Sequence, residues 1–309
     1  MTPVMPARLR DRAELALGRF ELGALQRAMM AAAGLRARRQ RIGALELALY
    51  ERRRADGTPV VLIHGFGGDK ETWLLFAPHF RRRPLLIVDL PGHGRSSAVG
   101  GDRANARAMG ETVLALLDAR GIRRAHVCGN SLGGGIALWL ARHHPARVAS
   151  LSLIASASPV FAESELTRAL ARGENLLIPT PGSGEDGDRF VRMMVEKPPP
   201  VPRPVQRYVA ARRAAARPVL EELFRGWASS DPADGLPEDV EAITQPTLLV
   251  HGAKDRIIHP DTARMLHARL PRATLEILEG IGHVPQLEAP SAVARLVERH
   301  LVAAGERAR

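Results

Sequence analysis

Residues 129–134 read Gly-Asn-Ser-Leu-Gly-Gly, directly after the apolar run Ala125-His126-Val127-Cys128 and directly before the helix-forming stretch Ile136-Ala137-Leu138-Trp139-Leu140-Ala141. A GxSxG sequence between a strand and a helix forces a strained turn that lifts the serine hydroxyl to the helix N-terminus, with glycines where side chains would clash. Ser131 is therefore the candidate nucleophile. A serine hydroxyl is a weak nucleophile near neutral pH, so it needs a base within reach and a third group to orient that base. Two later segments offer them. Asp255 follows the buried-strand sequence Pro246-Thr247-Leu248-Leu249-Val250-His251-Gly252. His283 follows the apolar run Thr274-Leu275-Glu276-Ile277-Leu278 and sits among glycines that leave its loop free to bend back over a sheet.

Acyl transfer also needs donors for the oxyanion that forms during attack. The short apolar strand Val60-Val61-Leu62-Ile63 leads into His64-Gly65-Phe66-Gly67-Gly68. The backbone amides of Phe66 and of Leu132, the residue after the nucleophile, are the expected pair.

The elements needed to position these groups can be read from periodicity. Strands over 85–89, 125–129 and 148–154 alternate with helices over 103–120 and 132–143. Such alternation predicts an α/β fold: a mostly parallel sheet with helices on both faces. Residues 42–50 are expected to add an earlier antiparallel strand. A chain of 309 residues with 45% hydrophobic content can bury one large core plus an inserted subdomain.

The alternation breaks over about 156–242, where glycine, proline and charged residues become frequent. This segment is expected to be a mainly helical cap, with short helices near 163–172, 188–196 and 205–224. Residues 179–188 (PTPGSGEDGD) should form a mobile loop and 198–204 (PPPVPRP) a stiff extended connector. A cap placed over the C-terminal ends of the strands would govern substrate choice. The expected organisation is an N-terminal helical segment over 1–40, a core over 41–155 and 243–309, and the cap between the two parts of the core.

HGFGG, LLIVDLPGHGRS, GNSLGG, PTLLVHGAKD and GIGHVPQLEAP together resemble the α/β-hydrolase superfamily, from about Arg41 to the C-terminus. The order Ser131, Asp255, His283 is the order that family uses. Within it the chain is most similar to bacterial family V lipases and monoacylglycerol lipase-like serine hydrolases. The resemblance implies hydrolysis of carboxylic esters through a serine acyl-enzyme, with no metal or organic cofactor. GNSLGG is also similar to the meta-cleavage product hydrolases, which split carbon–carbon bonds. That reaction is the enzymatic alternative, and a non-catalytic binding protein on the same fold is the alternative of another class. Phe66, Asn130, Trp73 and Trp227 are candidate pocket contacts, with core packing as the competing reading for both tryptophans. Sparse aromatic residues lean towards a lipid-like acyl substrate.

Charge is unevenly spread. Of the net +11, residues 1–54 carry twelve arginines against five acids, or +7. Leu15, Leu22, Leu25 and Met29 recur at helical spacing, with Arg12, Arg19 and Arg27 interspersed. Two readings stand side by side: peripheral attachment to a membrane surface, or a helix packed on the core or on a second subunit. Nucleic-acid binding is discounted despite a pI near 11, because arginine is abundant throughout and no recognition motif is present. No stretch has the length of a membrane span and no signal-peptide core is visible, so a cytoplasmic or inner-face protein is expected. A single cysteine, Cys128, forbids an intramolecular disulfide and reads as buried and inert.

Competing residues are weighed in the same way. Asp231 and Asp234 are the rivals of Asp255 for the acid. Asp89, His64 and His93 are expected to hold loops in shape, Glu288 to mark a helix start, and His143-His144 to favour a helix C-terminus without binding metal.

Overall fold

The computed structural model describes residues 7–53, 57–80, 83–178 and 184–305. It opens with a long helix, α1 (Ala7–Ala33), followed by the strands β1 (Arg36–Ile42), β2 (Leu45–Arg52), β3 (Val60–Ile63) and β4 (Leu85–Val88). Then come α2 (Ala106–Ala119), β5 (Ala125–Asn130), α3 (Leu132–His143) and β6 (Val148–Ile154). Three helices follow without an intervening strand, α4 (Glu165–Ala171), α5 (Gly184–Met194) and α6 (Arg203–Ala228). The chain then returns to β7 (Thr247–Gly252), α7 (Pro260–Arg269), β8 (Ala273–Leu278), α8 (Pro285–Glu288) and α9 (Pro290–Ala303).

The strands form one eight-stranded sheet in the order β1-β2-β4-β3-β5-β6-β7-β8. Only the β1–β2 and β2–β4 pairings are antiparallel. This is the α/β architecture expected from the sequence. Alternate residues of the apolar strands go to opposite faces, as strand geometry requires. Val61 and Ile63 join α2 and α3 through Met109, Val113, Ile136 and Leu140. Val60 and Leu62 join Trp73, Phe76, Phe80 and the α9 residues Val293 and Val297. Each such side chain, once buried, contributes roughly 1.5–3 kcal/mol.

The sheet starts earlier than expected. Arg36 lies inside the segment read as helical, yet residues 36–42 (RARRQRI) pair with β2 in unbroken register from Arg36↔Glu51 to Ile42↔Leu45. A charged, exposed strand is what a sheet edge tolerates, because charge discourages further pairing there. Gly43, at φ 57°, makes the hairpin turn. Of the expected loop over 179–188, residues 179–183 lie outside the described residues, and 184–188 are the first residues of α5.

The inward face of α1 packs on α6. A Cβ at Gly18 would stand 2.0 Å from the Pro204 carbonyl oxygen, so the two helices touch at a position only glycine fits. Arg207 of α6 pairs with Asp11, at 2.8 Å, and with Glu14. Further along, Met29, Met30 and Ala33 join the core under the sheet. No helix among the described residues is long and apolar enough to cross a membrane.

Candidate active site

Ser131 ends the turn between β5 and α3 with φ 53° and ψ −119°, a conformation that L-residues rarely adopt. The surrounding packing enforces it. A Cβ at Gly129 would stand 2.2 Å from the Gly133 carbonyl oxygen, and one at Gly133 would stand 2.3 Å from the Ile63 carbonyl oxygen. The turn therefore closes only because both positions lack side chains. β3 leads straight into the glycine loop, and a Cβ on Gly65 would meet the Ser131 Cβ at 3.0 Å. Phe66 and Leu132 thus flank the serine, and neither of their amides has a partner among the described residues.

β7 delivers Asp255 and β8 delivers His283, both almost fully buried. His283 Nδ1 lies 2.8 Å from Asp255 Oδ2. A carboxylate only accepts, so Nδ1 carries the hydrogen and Nε2 is left as the basic nitrogen. Asp255 Oδ1 accepts from the Ile257 and Ile258 amides, both at 2.9 Å. Burial works against ionisation of this carboxyl, but His283 and His251 outweigh it and hold it below the usual carboxylate range. The Ser131 hydroxyl makes no hydrogen bond to His283 among the described residues, a looseness common before substrate binds. Asn130 links the two segments: its amide donates to the Ile154 carbonyl at 3.0 Å and to the His283 carbonyl at 3.3 Å.

The other expected residues divide clearly. Asn130 is buried in that structural link, and Phe66 packs edge-on against His93 and against Phe224 of α6. Trp73 is fully buried against Phe76, which removes it from the pocket contacts because no face of its ring is open. Trp227 packs against the core cluster on the α2–α3 side of the sheet. Asp231 caps the Ala233 amide and Asp234 pairs with Arg107, so neither approaches His283. Asp89 is tied to Lys70 Nζ at 2.6 Å and to the Lys70 and Arg95 amides. His64 accepts from the Leu90 amide and donates to the Gly65 carbonyl, bracing the glycine loop. Burial lowers its pKa and takes that of His93 down to about 3.

Four residues have roles that composition and spacing did not reveal. His251 Nε2 reaches Asp255 Oδ2 at 3.1 Å. Glu288 accepts from the Gly282 amide at 2.9 Å and from the Glu196 and Lys197 amides at 2.8 and 3.0 Å, joining the histidine loop to the segment after α5. Arg212 pairs with Asp69, and Arg213 donates to the Gly67 carbonyl at 3.2 Å and to the Leu177 carbonyl at 2.6 Å. A histidine four residues before the acid, across a tight turn, was the one available signal. The others depend on the fold of the inserted segment.

The sequence profile described as the alpha/beta hydrolase family matches residues 60–296. Lipase 1 of Psychrobacter immobilis is 34% identical over 239 residues, covering 75% of this chain and 73% of its own. A 2-hydroxymuconate semialdehyde hydrolase of Pseudomonas putida is 31% identical, covering 81% of this chain and 89% of its own. Among solved structures, a membrane phospholipase A described as a bacterial virulence factor superposes with a TM-score of 0.87 at 32% identity, over 94% of this chain and 93% of that one.

Proposed function

The chain belongs to the alpha/beta hydrolase family, and from that premise we propose that it hydrolyses carboxylic esters of lipid-like acids, with Ser131 as nucleophile, His283 as base and Asp255 as the group that orients the base. The observation that carries this reading is the buried 2.8 Å contact between Asp255 and His283 beside a serine held at positive φ.

Ser131 Oγ attacks the ester carbonyl carbon while His283 Nε2 takes its proton. The carbonyl oxygen becomes an oxyanion, and the Phe66 and Leu132 amides are the donors that hold it. Collapse breaks the bond to the alcohol oxygen, which leaves with the proton from Nε2. A water then attacks the acyl carbon while Nε2 takes its proton, and collapse breaks the bond to Ser131 Oγ, which takes that proton back from Nε2 as the free acid leaves.

On the same reading the described residues of 156–242 act as a cap over this site. Its helix α6 touches Phe66, its Arg212 pairs with Asp69, and its Arg213 donates to the Gly67 carbonyl. The N-terminal helix α1 packs on α6 of this segment. α1 leaves Leu17, Phe20 and Leu25 exposed, with Arg12, Arg19 and Arg27 exposed beside them. Apolar residues flanked by arginines suit an anionic lipid surface, where the ester substrates of a lipase lie.

Hydrolysis of p-nitrophenyl esters across acyl lengths by the wild type and by Ser131→Ala tests the chemistry. Turnover abolished by the substitution is expected. Inert wild type that cleaves a ring-fission diketone would replace ester hydrolysis by carbon–carbon bond hydrolysis. Co-sedimentation with phosphatidylglycerol vesicles tests the surface: Phe20→Glu is expected to weaken binding while leaving turnover of a soluble ester intact, and equal binding by the variant would remove the membrane role.

A further inference from the structure

Asp255 Oδ2 faces two imidazoles. His283 Nδ1 stands 2.8 Å away and His251 Nε2 3.1 Å away. His251 is the penultimate residue of β7, and the Asp255 amide donates to the Gly252 carbonyl across the turn that follows, so side chains 251 and 255 come back to face each other. The same Nε2 lies 2.8 Å from the Ile258 carbonyl oxygen. Carbonyl and carboxylate oxygens only accept, so Nε2 must carry the hydrogen, and it is shared between the two. Oδ1 is taken by the Ile257 and Ile258 amides, so each carboxylate oxygen accepts two hydrogen bonds among the described residues.

We propose that His251 is a positioning residue for the reaction. Its Nε2–H fixes the Asp255 carboxylate against rotation and draws off part of the Oδ2 charge that would otherwise favour protonated His283. Carboxylates placed behind a histidine set its orientation and its basicity, and a second donor on the same oxygen tempers both. This inference rests on the roles given above to Ser131, His283 and Asp255.

Among the described residues no further charged side chain competes at this oxygen. Arg256, next to Asp255, turns to Glu196 at 2.8 Å and to the Arg192 carbonyl at 2.7 Å. Glu288, from α8, is held by backbone amides, and His259, at the start of α7, faces Asp261.

The test compares wild type with His251→Leu, which removes the donor, and His251→Gln, whose amide nitrogen restores one at similar reach. His251→Asn, with its amide too short to reach, serves where the leucine variant does not fold. The pH profile of kcat/KM for p-nitrophenyl butanoate reports the base of the free enzyme. Its acid limb is expected to move up by roughly half to one pH unit in the leucine or asparagine variant and to return in the glutamine variant, with KM little changed. The downfield imidazole N–H resonance of His283 is read in parallel, without turnover, and is expected to move further downfield only where the donor is lost. An acid limb and a resonance that stay at the wild-type positions in the donor-less variant would overturn the proposal, as would a glutamine variant that behaves like it. Retained turnover in Ser131→Ala would instead defeat the serine mechanism, and the resonance would still decide the case of His251.

Discussion

The guanidinium of Arg213, on α6 of the inserted segment, donates to the carbonyl of Gly67, one residue beyond Phe66. The same group donates to the Leu177 carbonyl and lies 3.7 Å over the Phe190 ring, and burial lowers its pKa to about 10, so it stays charged at neutral pH. One cation therefore fastens three parts of the insertion to the glycine loop. The Phe66 amide can be held still only if that loop is.

Arg213→Met is expected to keep the apolar stem of the side chain and lose these bonds. Displacement of a positioned donor by about 1 Å can cost around 100-fold, so kcat should fall 10- to 100-fold with KM changed much less. Steady-state kinetics on a soluble ester decide this. A wild-type kcat in a folded variant would mean that the loop holds its shape without α6.

Asp255→Asn should be more damaging. The two backbone amides at Oδ1 orient the new side chain so that its carbonyl oxygen replaces Oδ1 and its NH2 faces His283. The imidazole must then place its hydrogen on Nε2, the nitrogen needed as the base. A loss of kcat of about 10⁴-fold is expected, the scale of a wrong tautomer. Circular dichroism should show an unchanged fold, and a loss smaller than tenfold would reassign the acid.

The strands were legible because four-residue apolar runs bounded by glycine and proline leave few other readings, and the serine turn because its glycines are packed against backbone. β1 was not: RARRQRI has the charge of a loop, and only its pairing with β2 makes it a strand. The periodicity of α1 was visible, but Leu15, Leu22 and Met29 turn out to face inward with Gly18, while Leu17 and Phe20 face out. A local pattern says that a helix has an apolar stripe and leaves its covering partner, here α6, to the tertiary fold. The contacts of Arg213 with Gly67 and of Glu288 with Glu196 join residues over 90 positions apart, a distance at which spacing carries no information.

His93 gives the stability a sign with pH. Its Nδ1 donates to the Pro91 carbonyl, its Nε2 is buried without a partner, and burial, with a smaller contribution from His64, takes its pKa to about 3. The unfolded chain, with the ordinary value of 6.5, binds the proton first. Between these values the unfolded state holds more protons, so stability falls as pH falls, by up to about 1.4 kcal/mol per pH unit for one such group. His93→Phe removes this proton uptake. Denaturant unfolding at intervals from pH 7 to pH 4 should show a shallower loss in the variant, and parallel curves would mean that His93 takes up its proton without unfolding.

Glu288 offers the most direct probe of the histidine loop. Its two oxygens serve the Gly282 amide on one side and the Glu196 and Lys197 amides on the other. In Glu288→Gln only one end can accept, so an NH2 must face an N–H; a fully buried unsatisfied donor costs about 1–3 kcal/mol, and these part-buried ones should fall at or below the lower end, about 1 kcal/mol. Gly282 precedes His283, whose own amide donates to the Met194 carbonyl, so the loop would stay attached to the insertion by that bond alone of these four. Global stability is expected to drop by that amount in denaturant unfolding. Lower kcat with a retained pH profile should accompany it, because the substitution moves the base without changing what surrounds it. A changed profile would show that Glu288 acts on the charge of His283 and not on its position.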